Sequence, residues 1–308
     1  MAKQKTLRIA TRGSALARWQ ADWVADCLRR RGHTVEIIEI ATRGDADQSN
    51  PIGDIGSPGV FTKEIQRAVL AGEADVAVHS LKDLPTDAVA GLVLAAVPAR
   101  ESAADVLVST AASSFDALRK GARIGTGSLR RQAQLRHARP DFEVMAIRGN
   151  VDTRLRKLDE GQVDALVLAE AGLQRLGWAG RISQVLPWEI MLPAVGQGAL
   201  GIECRANDVP ARAALAELDN AATHAAVVAE RTLLARLRGG CLAPIGALGL
   251  VANGRLELSA VVLSPDGVKR LEERDFASPE QAEQLGCRVA DALLSRGAGE
   301  LIAAGRSA

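Results

Sequence analysis

A chain of 308 residues is longer than one ordinary core fills, so two or three domains are expected. Its 38 Lys and Arg balance 37 Asp and Glu, and a net charge of +1 provides no global field for nucleic acid or an anionic membrane. Aromatic residues make up only 3% and tyrosine is absent, which argues against base stacking and leaves packing to Ala, Leu, Val and Ile. No stretch approaches the about 20 apolar residues of a membrane span. Met1 to Lys5 lead into a strand-like run without the apolar core of a signal peptide. Cys27, Cys204, Cys241 and Cys287 lie far apart and lack metal-ligand spacing. Free thiols in a reducing cytoplasm are expected, with no metal.

In chain order, residues 7–10 read as a buried strand. Leu16, Trp19, Trp23, Cys27 and Leu28 recur at helical spacing, predicting a helix over 15–31 with Ser14 as N-cap. A strand over 35–40 precedes a Gly- and Asp-rich loop over 42–59, long enough to suggest a functional segment. A helix over 62–71 and strands over 75–79 and 91–97 follow. After Pro98 the pattern restarts with a strand at 105–109 and a helix at 115–120. A helix over 129–138, a strand over 143–147, a helix from Asn150 to near Gly161 and a strand over 165–168 come next. This alternation predicts mainly parallel sheets with ligands at the carboxyl ends of the strands.

The strand at 200–204 is expected to return to the first domain, making the Pro98 and Pro193 regions a two-stranded hinge. A helix over 221–237 precedes strands at 247–250, 256–262 and 269–276, with a turn at Pro265-Asp266-Gly267. Ser278 starts a last helix. The expected class is therefore α/β with a small α+β C-terminal domain. The expected domains are 1–98 with 199–218, then 99–198, then 219–308.

Several basic turns fall where strands end and helices begin. They are Thr11-Arg12-Gly13-Ser14, Thr42-Arg43-Gly44-Asp45, Gly125 to Arg131, and Arg148 to Arg154. Such turns offer backbone N–H groups, the positive end of a helix dipole and the guanidinium fork. Any one of them also suits a capped helix with a solvated arginine. Four together predict a ligand with several negative charges.

At Val78 to Pro85, Lys82 and Asp83 end a strand, where Asp83 suits acid–base work or cation stabilisation, or simply a surface ion pair. His79 reads as a hydrogen-bonded core residue. Cys241 follows Gly239-Gly240, which leaves room beside the thiol, and Arg236 and Arg238 are close enough in sequence to favour a thiolate. A buried structural cysteine fits the same pattern.

These segments, with Leu192-Pro193-Ala194-Val195-Gly196-Gln197-Gly198 and Glu230-Arg231, resemble the porphobilinogen deaminase (hydroxymethylbilane synthase) family from about Leu7 to the C-terminal helices. The resemblance implies two lobes like those of periplasmic binding proteins and a third domain carrying a cofactor loop. It implies a cytoplasmic, monomeric transferase that joins four porphobilinogens head to tail into hydroxymethylbilane and releases ammonia. It also implies a dipyrromethane cofactor held by a thioether to Cys241. Asp83 and Lys82 match the family's catalytic acid and its basic neighbour. Arg12, Ser14, Lys82, Asp83, Thr126, Ser128, Arg130 and Arg131 match cofactor-binding positions, and Arg12, Arg148, Arg154 and Arg175 substrate-binding ones. Gln197 matches a hinge motif.

Two departures are visible. Asp54 and Pro58 stand where relatives often carry lysine, although Lys63 remains. Gly127 stands where serine is common. A non-catalytic two-lobed anion-binding protein is the competing reading, but it has no need for Asp83, the third domain or the Gly-Gly-Cys loop.

Overall fold

The computed structural model describes residues 6–42, 62–240 and 243–306. The chain divides into two compact units, Met1–Arg100 with Ala199–His224, and Glu101–Gly198 with Ala225–Ala308. It begins with β1 (Leu7–Thr11), α1 (Ala15–Arg30), β2 (Val35–Glu39), α2 (Lys63–Leu70), β3 (Val76–Ser80) and β4 (Leu92–Ala96). The second unit opens with β5 (Asp105–Ser109), β6 (Arg123–Gly125), α3 (Leu129–Ala138), β7 (Glu143–Met145) and α4 (Val151–Asp159). It continues through β8 (Ala165–Ala169), α5 (Glu170–Arg175) and β9 (Gln184–Val185). Then come β10 (Leu200–Arg205), α6 (Val209–Ala216) and α7 (Ala221–Arg236). The chain closes with β11 (Ile245–Ala252), β12 (Arg255–Leu263), β13 (Arg270–Ala277), α8 (Ala282–Ser295) and α9 (Ala298–Arg306).

The first sheet has the order β2-β1-β3-β10-β4, and the second β7-β6-β8-β5-β9. β10 runs antiparallel to both its neighbours, and so does β5. The other strands of each sheet share one direction, so two sheets of one strand order each carry a single reversed strand. The 200–204 segment returns to the first sheet as expected, between β3 and β4. Strands such as β5 and β8 are buried along nearly their whole length, which suits apolar runs covered on both faces. Ser14 caps α1 by accepting the Ala17 N–H at 3.4 Å, and Arg29 and Arg30 close its negative end. Val24, Ala25 and Leu28 of that helix pack with Ile9, Val78 and Ile202 of the sheet.

β11, β12 and β13 form an antiparallel meander. Asn253 and Gly254, both at positive φ, make the two-residue turn between β11 and β12. α7, α8 and α9 bury Leu233, Leu285, Val289 and Leu301 against Leu256 and Leu258. Close approach here depends on glycine. A Cβ on Gly249 would stand 2.7 Å from the Ala226 carbonyl, and one on Gly286 would stand 2.5 Å from that of Ala229.

The sheets are mixed and mainly parallel, as expected. Two local expectations differ. Residues 115–120 form no helix. One turn, Leu118 N–H to Phe115 O, buries Phe115 and Leu118, and the segment is too short to propagate. Gly121, at φ +72, ends it. α6 is also unannounced by periodicity; Asp208 caps it by accepting the Ala211 N–H, with Pro210 in its first turn.

Glu230 on α7 is fully buried, and its carboxylate accepts the N–H groups of Gly196 at 2.6 Å and Gly249 at 2.8 Å. Glu230→Ala leaves both N–H groups unpaired. It is expected to lower stability by about 3–5 kcal/mol, read as a fall in the urea midpoint, with a smaller loss for Glu230→Gln.

Candidate active site

In the first unit, β1 and β3 are parallel neighbours, with Ala10 opposite Ala77. Their carboxyl ends therefore deliver two turns to one end of the sheet. The first carries Arg12, half-buried, and Ser14, whose Oγ caps α1. The second is a single 3₁₀ turn, Leu81–Asp83, that continues β3 without a linker. Leu81 is buried beneath it while Lys82 and Asp83 are half-buried. The Asp83 carboxylate makes no hydrogen bond or ion pair among the described residues, which leaves it available to a ligand. His79 is a core residue, with Nε2 2.9 Å from Glu203 Oε2. The Arg43 turn, Asp54 and Pro58 lie outside the described residues.

In the second unit, β7, β6 and β8 are parallel neighbours, so the turns after them share one sheet end. Thr126 is fully buried and its Oγ1 accepts the Ser128 N–H at 3.2 Å, so this threonine shapes the turn. Ser128 is half-buried at the N-cap of α3. Glycine suits position 127, because a Cβ there would stand 2.9 Å from the Ile147 carbonyl. Arg148 opens the next turn. Gly149, at φ +108, has no room for a side chain against Thr153. Arg154 Nε donates to Gly149 O at 2.7 Å and Lys157 Nζ to Arg148 O at 3.3 Å, so α4 pins this turn from below. Arg175 is buried at the end of α5 and donates to Gly198 O at 2.7 Å. Burial pushes its guanidinium below the ordinary range, with Glu101 acting against that.

Arg130 and Arg131 are buried on one carboxylate. Asp105 accepts Arg130 Nη1 at 2.7 Å, Arg131 Nε at 3.0 Å and Nη2 at 2.7 Å, and Gln197 Nε2 at 3.0 Å. Arg131 Nη1 donates to Val167 O, and Arg130 Nη1 also reaches Leu192 O. Burial alone would raise the Asp105 carboxyl, but the two guanidiniums and the hydrogen bonds outweigh it and hold the pKa at about 2. These two arginines thus organise the interior as well as the start of α3. Neither Asp105 nor Glu203 stands out in sequence, because a lone acid in a strand carries no sign of its partners.

Cys241 lies outside the described residues, but its approach is defined. α7 ends with Arg238 at φ +51 and the Gly239 N–H bonded to Leu234 O, a helix-ending turn usually built on glycine. Gly239 is packed tightly, with Ile245 Cδ1 2.4 Å from where its Cβ would stand, whereas Gly240 faces open space. Arg236 is paired with Asp291 at 2.7 Å.

Residues 7–213 match the porphobilinogen deaminase dipyrromethane cofactor binding domain, and residues 224–295 match the porphobilinogen deaminase C-terminal domain. The chain belongs to the porphobilinogen deaminase family. A porphobilinogen deaminase of Desulforudis audaxviator is 52% identical over 297 residues, covering 96% of each chain. One of Pelobacter propionicus is 48% identical over 295 residues, covering 95% of each. Among solved structures, the methionine binding protein MetQ aligns with a TM-score of 0.46 and 12% identity, over 70% of this chain and 90% of its own. No helix among the described residues is long and apolar enough to cross a membrane.

Asp105 gives the site region a defined acid response. Its folded pKa lies below that of an unfolded aspartate, so its stabilisation of about 2 kcal/mol is complete above about pH 4 and lost as pH falls toward 2. Asp105→Asn is expected to destabilise strongly at pH 7, and the gap to the parent protein should narrow between pH 5 and 2 in urea titrations. Asp164, also held at about 2 by Arg123, titrates in both proteins and cancels in the comparison.

Proposed function

We propose that this chain is the transferase that condenses four porphobilinogens head to tail into the linear tetrapyrrole hydroxymethylbilane, releasing ammonia at each addition. The observation that carries this reading is the family match along nearly the whole chain, to the cofactor-binding domain and then the C-terminal domain. The donor sets support it. Each pyrrole carries an acetate and a propionate, and each unit offers arginines, hydroxyls and helix N-termini at a sheet end.

Dipyrromethane, tethered by a thioether to Cys241, supplies the pyrrole carbon on which the chain grows. Its charge class fits the residues assigned to hold it: Arg12, Ser14, Lys82 and Asp83 of the first unit, and Thr126, Ser128, Arg130 and Arg131 of the second. Their roles differ. Thr126 and Arg131 act mainly by shaping the backbone, since their side chains already serve protein partners. Arg130 commits only Nη1 to protein acceptors among the described residues. Arg12, Arg148, Arg154 and Arg175 receive the carboxylates of incoming porphobilinogen.

Loss of ammonia from porphobilinogen leaves a cationic methylene-pyrrole. Asp83 accepts hydrogen bonds from pyrrole N–H groups, offsets that cation and takes the proton released when the new carbon–carbon bond forms. Lys82 binds a neighbouring carboxylate. The proposed division is 1–98 with 199–218, 99–198, and 219–308; the second and third sheets each have a main core cluster of their own, joined by a smaller shared one. We assign the enzyme to the cytoplasm as a monomer whose partner is porphobilinogen, with neither nucleic acid nor membrane. The near-neutral charge and the buried thiols Cys27 and Cys204 support that assignment.

The purified chain should consume porphobilinogen, release ammonia and carry the mass of two pyrrole units. Cys241→Ser should lack that mass and be inactive; an active, unmodified parent protein would overturn the tether. Asp83→Asn should fold and keep the added mass while turnover drops at least roughly 100-fold. Near-normal turnover in that variant would remove Asp83 from the chemistry.

A further inference from the structure

Beneath the Leu81–Asp83 turn lies a polar cluster that the chemistry above does not use. His79 of β3, Glu203 of β10 and Gln66 of α2 are 5%, 6% and 5% exposed. Glu203 Oε2 lies 2.9 Å from His79 Nε2 and accepts the Gln66 side-chain amide at 2.9 Å. Three elements therefore approach one carboxylate oxygen, which Gln66 hydrogen-bonds and which His79 Nε2 faces without a hydrogen bond. Burying such a cluster is costly, and apolar side chains of similar size commonly stabilise a core as well or better. Holding β3 against β10 does not require it, because the strands already pair over five residues, from Leu200 with Ser80 to Cys204 with Val76.

What the cluster adds is a fixed height and register at the end of β3. His79 is four residues before Asp83, with only Ser80 and the 3₁₀ turn between them. β10 supports that turn in two further ways. The Leu81 N–H donates to Ala199 O at 3.0 Å. The Leu81 side chain lies over Gly201, where a Cβ would stand 2.6 Å from Leu81 Cδ1. Gly201 and Glu203 point to the same face of β10. At Glu203 the register of β10 against β4 also slips: Ile202 faces Ala96 but Glu203 faces Leu94. The extra residue there is Ala95 of β4, while β10 pairs with β3 without a break.

We propose that Glu203, with His79 and Gln66, is a positioning residue for the condensation, fixing the turn that presents Asp83 at the sheet end. This rests on the deaminase reading and on Asp83 as its acid. A displacement of about 1 Å at a reacting group commonly costs up to roughly 100-fold in rate, so the cluster acts on turnover more than on substrate affinity.

The test is the triple variant His79→Leu/Glu203→Leu/Gln66→Leu of the full chain, compared with the parent protein and Asp83→Asn. The urea midpoint should stay near the parent value and intact mass should still show two pyrrole units. The expected result is kcat lowered roughly tenfold or more with KM within about threefold. A folded, loaded triple variant with parental kcat overturns the proposal. If the triple variant does not fold, Gln66→Leu decides: kcat lowered about threefold or more at unchanged KM and urea midpoint supports positioning, and unchanged kcat overturns it. A parent protein that does not consume porphobilinogen removes the functional reading itself, whereas an active parent with an equally active variant removes only the positioning role.

Discussion

The second unit depends on one carboxylate. Asp105 opens β5 and sits, with no solvent contact, among two guanidiniums and an amide. Isolated, a buried carboxylate or a buried arginine is expensive; here each is tolerable because the others are present. The group joins the reversed strand of the second sheet, the first turn of α3 and the 192–198 segment. Arg130 and Gln134 hold Leu192, and Gln197 holds Ala103 and Asp105. The turn Thr126–Ser128 projects from this anchored start of α3. The turn proposed to bind the cofactor therefore adjoins charges that are paired in the core.

Glu230 plays the same part for the C-terminal sheet. Its two oxygens receive backbone N–H groups from Gly196 and Gly249, so a helix, a strand and the 192–198 segment meet on one side chain. Glycines let the backbones come near enough for this, with Ala226 and Ala229 carbonyls where side chains would stand. The segment Gly239-Gly240 that precedes Cys241, the proposed tether, leaves the same helix. In the first unit Asp83 stands on a strand end beside β10.

Much of this was legible in the residues. Local periodicity set most strands and helices to within a residue or two, because apolar side chains recur at the spacing the element imposes. Ser14 as a cap, the return of the 200–204 strand and the basic turns were readable in the same way. The helix expected at 115–120 failed because two apolar residues three apart are satisfied by a single turn. The reversed direction of β5 had no local signal, since a buried strand reads alike in either direction.

By itself, the sequence determined the α/β class, the family and the residue types at the strand ends, including Asp83, and it singled out Cys241 after Gly239-Gly240. It did so because motifs and periodicity are properties of neighbouring residues. Tertiary structure alone decided which arginines face inward. Arg130 and Arg131 read as ligand-binding side chains in the sequence, and only the fold shows that Asp105, some 25 residues earlier, also engages them. The same is true of His79, whose neighbour Glu203 lies on another strand and is itself bonded by Gln66 of a helix. Long-range pairing of buried charge is set by folding geometry, and no local pattern in the chain encodes it.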